Sequence, residues 1–403
     1  MPYTLFHLAL TLRILHVVPS YLPATRYGGP IQSVHGLCKA LVQAGHDVSV
    51  FTTNIDGPGN SDVTLGRAVD LDGVKVWYFS SPFLRRLFWA PGMKRALREQ
   101  VGQFDLVHLH SVFLWPTWAA ARAARKVGIP YLVAPRGMLV KDLLRRKSRW
   151  LKTAWVHLIE RRNLERAAGI HVTAPVEQAE IEQFGFTLPR CYYVPNGIEE
   201  IDLPALNKEQ CDLLPGAPYV LFLSRLNWKK GLDRLVQAWR LVPHRLLVIA
   251  GNDEDNYCAE VERLARAEGV IDRIRFVGPA YGKDKWLLYR EAQLFILPSY
   301  SENFGIVVLE ALSTGCPVVV TPEVGAASLV DSNACGIVSS GEPHSLATAI
   351  NSLLADEISR QELGERGRVA SKKYLWSTII LDMERAYESV LLSHRLMNGH
   401  QAQ

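Results

Sequence analysis

The sequence predicts two Rossmann-like α/β domains facing across a cleft, and three observations carry that reading. Short apolar, β-rich runs alternate with helical stretches along the whole chain, the pattern of parallel sheets covered by helices on both faces. The alternation falls into two sets, each opening on a strand and a glycine-bearing loop. Between them lies Pro195-Asn196-Gly197, a turn signal directly after a strand. The 403 residues suit two cores better than one, and 48% hydrophobic content lets both be buried.

In the first half the expected strands are Ile14–Val18, Asp47–Thr52, Val74–Phe79, Leu106–His110, Tyr131–Ala134, Ile170–Thr173 and Tyr192–Val194. Helical patterns lie near Ile31–Ala44, Thr117–Lys126, Ser148–Ala167 and Glu177–Phe184. In the second half strands fit Tyr219–Ser224, Leu246–Ala250, Ile274–Val277, Leu294–Leu297 and Val318–Thr321. Helices fit Leu232–Leu241, Tyr257–Glu268, Lys285–Ala292, Gly305–Ser313, Pro343–Ala355 and Ile358–Lys373, and the amphipathic stretch Trp376–Leu392 closes the chain. The expected domains are residues 1–197, residues 198–375, and a helix in 376–403 that packs back on the first. Ligands of open α/β sheets bind at the carboxyl ends of the strands, which places the chemistry in the loops that follow them.

The net charge of +5 is a mild excess. It suits anionic small molecules or an anionic membrane surface where it is clustered, and no recognised nucleic-acid module accompanies it. The six cysteines, Cys38, Cys191, Cys211, Cys258, Cys316 and Cys335, form no CxxC pair and no zinc-spaced cluster, so reduced thiols in a cytoplasmic protein are expected. The apolar stretch Met1–Leu12 lacks the basic start of a signal peptide. No uncharged run reaches the roughly 20 residues of a membrane span.

Three loops, one strand and one basic stretch carry candidate chemistry. Glu302-Asn303-Phe304-Gly305 follows a strand and enters a helix, where free N–H groups can receive a phosphate, and Glu310 lies about 7.5 Å further along the axis. The same carboxylates also read as a capping acid and a solvated surface residue. Arg225 and Lys230 in Ser224-Arg225-Leu226-Asn227-Trp228-Lys229-Lys230-Gly231 follow another strand and suit a leaving diphosphate, or simply an exposed basic loop. Tyr27-Gly28-Gly29-Pro30 allows close approach of a ligand, or a tight turn before a Pro-started helix. His108 and His110 share one face of a strand, with His110 expected toward the cleft and His108 buried. Lys141–Arg166 holds nine Lys/Arg against three Asp/Glu, with apolar residues interleaved. It reads as an ordinary surface helix or as one lying on an anionic membrane.

Taken together, these motifs resemble the family 4 retaining glycosyltransferases of the GT-B fold, from Ile14 to about Leu391. The residues that carry the likeness are Glu302 and Glu310 followed by Ala311-Leu312-Ser313-Thr314-Gly315-Cys316-Pro317-Val318, then Ser224-Arg225-Leu226 with Lys230-Gly231, then Val194-Pro195-Asn196-Gly197-Ile198, the Gly28-Gly29 loop and His110. The resemblance implies an acceptor-side first domain, a donor-side second domain, and catalysis without metal or cofactor. It implies that Glu310 binds the ribose, and that Glu302, Asn303, Phe304 and Gly305 contact the donor. Arg225 and Lys230 would hold the diphosphate, Gly28 and Gly29 would close on it, and His110 would orient the transferred sugar. Two departures stand out: Leu223-Ser224 where a glycine is frequent, and the stretch Asn227-Trp228-Lys229.

The expected function is transfer of a hexose from a UDP- or GDP-sugar to a glycan or lipid-linked acceptor, in the cytoplasm or at the inner face of the membrane. The alternatives are a sugar-nucleotide epimerase or a phosphorylase of the same fold, a two-domain sugar-binding protein, and an inactive scaffold.

Overall fold

The computed structural model describes residues 11–24, 26, 28–139, 155–202, 207, 209 and 211–399. The chain forms two compact units. The first comprises Met1–Val172, Glu177–Val194 and Ile380–Gln403, the second Thr173–Val176 and Pro195–Ile379.

The first unit contains strands β1 (Arg13–Ser20), β2 (Asp47–Thr53), a small hairpin β3–β4 (Ile55–Asp56, Gly59–Asn60), β5 (Ala68–Leu71), β6 (Val74–Phe79), β7 (Leu106–His110), β8 (Tyr131–Ala134), β9 (Gly169–Val172) and β10 (Cys191–Tyr193). Eight of them make one sheet in the order β10-β9-β8-β7-β1-β2-β6-β5. Only β5 runs antiparallel, on the edge against β6. The strands are near-continuous apolar runs because both faces are covered. Period-two alternation then divides them. Leu15, Val17, Val107 and Leu109 face a core with Met93, Leu97, Ala120 and Ala124. Those four come from α2 (Pro91–Gln100) and α3 (Trp115–Val127), whereas α1 (Gly29–Gln43) joins β1 to β2. His16, His108 and His110 take the alternate positions on β1 and β7.

The second unit is a six-stranded, all-parallel sheet in the order β13-β12-β11-β14-β15-β16. Its strands are β11 (Tyr219–Leu223), β12 (Leu246–Ala250), β13 (Ile274–Gly278), β14 (Leu294–Leu297), β15 (Val318–Val320) and β16 (Gly336–Val338). After α4 (Arg161–Glu165) and α5 (Pro175–Glu182), the helices of this half are α6 (Leu232–Trp239), α7 (Tyr257–Ala267), α8 (Gly282–Glu291), α9 (Ile306–Ser313), α10 (Ala327–Ser332), α11 (Pro343–Ala355) and α12 (Glu357–Ser371). The last helix, α13 (Trp376–Gly399), begins in the second unit, and from Ile380 on belongs to the first. Its start is fixed against the turn at residue 197, where a Cβ on Gly197 would meet the Trp376 ring at 2.4 Å.

Several elements escape a reading of the sequence. The α2 segment buries only Met93, Ala96 and Leu97, too few for a clear stripe. The α10 helix is six residues and β16 three, too short to show a period. Of the predicted helix Ser148–Ala167, residues 148–154 lie outside the described residues, as do 141–147 of the basic stretch. The remainder is a π-helical turn, Val156–Glu160, running into α4. Among the described residues, no helix is long and apolar enough to cross a membrane.

Candidate active site

In the second unit the sheet order reverses between β11 and β14, and ligands of such sheets bind at that crevice. The two strands are hydrogen-bonded neighbours, so the loops leaving their carboxyl ends lie side by side. The Tyr300 N–H donates to the Lys229 carbonyl at 2.7 Å. Gly231 sits at φ 68°, and a Cβ there would lie 2.0 Å from the Pro298 carbonyl oxygen, so a glycine is what lets the loops touch.

This packing brings Lys230 and Glu302, 72 positions apart, into an ion pair. Their side chains are 9% and 19% exposed. Arg225, two residues beyond the end of β11, pairs with Glu254 at 3.1 Å, and Asn227 Nδ2 donates to the same carboxylate at 2.9 Å. Lys229 lies between the two pairs in sequence. Burial, with Arg225 and Lys230 nearby, lowers its ammonium below the ordinary value. Three cations thus converge on one strand end, where an anion would relieve their repulsion. Asn303 Nδ2 donates to Thr173 Oγ1 at 2.7 Å, and Phe304 is buried against Tyr374. Gly305 is the N-cap of α9, at φ 86°. No side chain caps that helix and no acid stands in its first turn, which leaves its N-terminus suited to an anion.

Glu310 lies one turn along α9 with partners of its own. Lys285 Nζ donates to it at 2.7 Å and the buried Tyr289 hydroxyl at 3.1 Å. Burial and the Glu310 carboxylate hold the Tyr289 phenol well above its usual range. The sequence carried a signal for this pair: Lys285 and Tyr289 are i and i+4 on α8, and so share a face.

In the first unit the sheet order reverses between β1 and β7. Gly28 is the N-cap of α1 and Gly29 its first residue, both half-buried at the loop after β1. His110 ends β7 and is 1% exposed, and His108 is fully buried. The expectation that one of the two points outward is therefore corrected: both belong to a buried cluster with His16 and His171, which the sequence did not mark. The Val194 carbonyl accepts from His171 Nε2 at 2.8 Å. That fixes the rest of the chain, because His171 Nδ1 must then accept from His108 Nε2 at 3.2 Å. His108 Nδ1 in turn accepts from the Tyr387 hydroxyl on α13 at 2.8 Å. A second chain begins at Arg136, whose Nη2 donates to His110 Nδ1 at 3.2 Å. His110 Nε2 then donates to His16 Nδ1 at 2.9 Å, leaving the His16 Nε2–H without an acceptor among the described residues.

Burial and Arg136 lower His16 and His171 to about 3 and His110 and His108 well below their usual value, so all four rings are neutral. One nitrogen from each of His16, His108 and His110 lies within 4.8 Å of the others, a potential three-ligand metal set that the sequence spacing concealed. The guanidinium beside His110 and the donor–acceptor pairing of the rings both disfavour a cation there. Ser111, Phe113 and Arg136, at the ends of β7 and β8, all have positive φ without being glycine (75°, 64° and 56°). Such strain gathers at functional positions.

Residues 207–370 match the family described as glycosyl transferases group 1, and residues 28–197 the glycosyl transferase 4-like domain. Among curated relatives, the D-inositol 3-phosphate glycosyltransferase of Xylanimonas cellulosilytica is 27% identical over 402 residues, covering 93% of this chain and 94% of its own. The phosphatidyl-myo-inositol mannosyltransferase of Mycobacterium leprae is 26% identical over 385 residues, covering 91% and 94%. Among solved structures, sucrose-phosphate synthase from Thermosynechococcus elongatus superposes with a TM-score of 0.77 at 22% identity, over 95% of this chain and all of that one. Anabaena HepE in complex with UDP and glucose gives 0.73 at 20%, over 94% and 100%. The chain is a glycosyltransferase of the GT-B fold, related to the group 1 and 4-like families.

Proposed function

We propose that the enzyme transfers a hexosyl group from a UDP- or GDP-sugar to a glycan or lipid-linked acceptor, with retention of configuration and without a metal ion. The observation that carries the reading is the set Arg225, Lys229 and Lys230 at the switch point of the second unit's sheet, with Glu302 gripping Lys230 and the uncapped start of α9 in the following loop. Relatives named as inositol-phosphate glycosyltransferases, and a fold neighbour crystallised with UDP and glucose, support it.

Breaking the bond to the diphosphate puts negative charge on the leaving oxygen, and fixed cations stabilise that charge in a dry site. In this reading the donor's diphosphate displaces carboxylates from Arg225 and Lys230, and frees Glu302 to bind sugar hydroxyls. Glu310 takes the ribose. The acceptor attacks from the side the diphosphate leaves, so no protein nucleophile is required. Cations already in place do the work of a divalent ion. The test is a panel of nucleotide sugars scored by thermal stabilisation, then by transfer and hydrolysis. A UDP- or GDP-sugar should raise the Tm by mass action. Release of an epimerised sugar without an acceptor would replace transfer with epimerisation.

A further inference from the structure

We propose that the first unit carries a second binding site, a basic pocket for a phosphate ester that bears an apolar group. The pocket lies between α3 and the π turn with α4, and its volume is about 470 Å³, inside the span of roughly 300–1,000 Å³ typical of small-molecule sites. Arg122, Arg125, Lys126, Arg162 and Arg166 line it, and among the described residues no carboxylate does. The spacing explains the convergence. Arg122, Arg125 and Lys126 are i, i+3 and i+4 on α3 and so share a face, while Arg162 lies on α4 and Arg166 is its C-cap. Like charges so placed repel unless an anion joins them.

The described acids of the same segment, Glu160 and Glu165, are committed elsewhere. Glu160 is buried and accepts from the Phe113 N–H at 2.7 Å and from Trp155 Nε1 at 2.9 Å. Glu165 accepts from Arg161 at 2.9 Å and from the Thr187 N–H at 3.2 Å. Arg125 is held in place, with Nη1 donating to the Tyr131 hydroxyl at 2.9 Å and to Asn163 Oδ1 at 3.1 Å. Forked guanidinium donors suit phosphate oxygens. The remaining wall is apolar, made of Trp118, Ile159 and Leu158, and Leu158 is 76% exposed. Cations and an exposed apolar wall together select a phosphate next to a hydrocarbon group, either a lipid headgroup at a membrane surface or a soluble phosphate ester. None of the residues assigned above to sugar transfer lines this pocket, so its test does not depend on turnover.

The full-length protein is tested with three probes: hexyl phosphate, inorganic phosphate, and vesicles of phosphatidylcholine with or without phosphatidylglycerol. Calorimetry reads the soluble probes and flotation the vesicles. The variants are Arg122→Glu with Arg162→Glu, and as a charge-matched control Lys94→Glu with Arg95→Glu on the exposed face of α2. Binding of hexyl phosphate, or of the phosphatidylglycerol vesicles alone, should weaken about tenfold or more in the first pair and persist in the second. Binding to vesicles but not to hexyl phosphate assigns a membrane headgroup; the converse assigns a soluble ester. Where charge reversal lowers the Tm, Arg122→Gln with Arg162→Gln replaces it. The proposal is overturned if neither phosphate form binds, if both pairs of variants lose binding equally, or if inorganic phosphate binds as tightly as hexyl phosphate.

Discussion

Lys230 and Arg225 are held differently, and the difference sets what their loss should do. The Arg225–Glu254 pair is part-exposed, with side chains 32% and 46% exposed, so breaking it costs little stability. Lys230 is buried against Glu302, and Lys230→Ala leaves that carboxylate without its cation, a cost of about 1–3 kcal/mol in folding. Both substitutions should lower kcat by about 10²–10³-fold, because a cation beside the leaving group interacts more strongly with the transition state than with bound donor. Arg225→Lys should recover part of the loss, and the double variant should lose less than the product of the single losses. Steady-state kinetics with saturating acceptor, alongside urea unfolding, separates the two effects; two single variants within about threefold of wild type in kcat would place the diphosphate elsewhere. Glu310 calls for a binding measurement. Glu310→Ala removes the acceptor of Lys285 and Tyr289 together with the proposed ribose contact. The Kd for UDP or GDP should rise about tenfold or more by calorimetry. An unchanged Kd removes the ribose role.

At the scale of elements, the second unit's candidate active site depends on two loops meeting at the ends of β11 and β14. Gly231 and Gly128 both have positive φ, 68° and 72°. A Cβ at Gly231 meets the Pro298 carbonyl oxygen at 2.0 Å, whereas at Gly128 nothing lies within 4 Å. Gly128→Ala should therefore cost only the left-handed backbone penalty of about 1–2 kcal/mol. Gly231→Ala must also part the loops, and should cost on the order of 4 kcal/mol and weaken nucleotide binding. Equal urea midpoints for the two would show that close approach is not what Gly231 provides. The sequence placed β11 and β14 within a residue of their observed ends, because buried parallel strands are short continuous apolar runs. The edge strands β5 and β16 carry four and three residues and no such run.

At the scale of the molecule, α13 ties the end of the chain to the first unit's sheet through Tyr387 and the four histidines on β1, β7 and β9. The folded pKa values of His16 and His171, about 3, lie below the ordinary 6.5. The unfolded chain therefore binds more protons between those limits, and stability rises with pH across that window. The contribution is complete above about pH 6.5 and is lost as pH falls toward 3. Glu180, raised to about 7 by burial and by Glu177, acts in the opposite sense from about pH 4.5 upward. The test is thus differential: His171→Asn should flatten the rise in urea stability between pH 5 and 7 relative to wild type, and an unchanged slope would mean that the ring is not held neutral. For the whole enzyme, turnover should persist in EDTA; complete loss restored by Mg²⁺ or Mn²⁺ would overturn catalysis by protein cations alone.

The sequence by itself determined the two-sheet α/β architecture and the strand ends that bear Arg225, Glu302 and His110, because burial on both faces and helical period are written in neighbouring residues. Tertiary structure alone decided the partners. Lys230 finds Glu302 72 positions away, His16 finds His110 across 94, and His108 finds Tyr387 across 279. Those meetings follow from the order of strands in each sheet and from the path of the last helix. No local pattern encodes either, since the same alternation of strands and helices is compatible with many sheet orders.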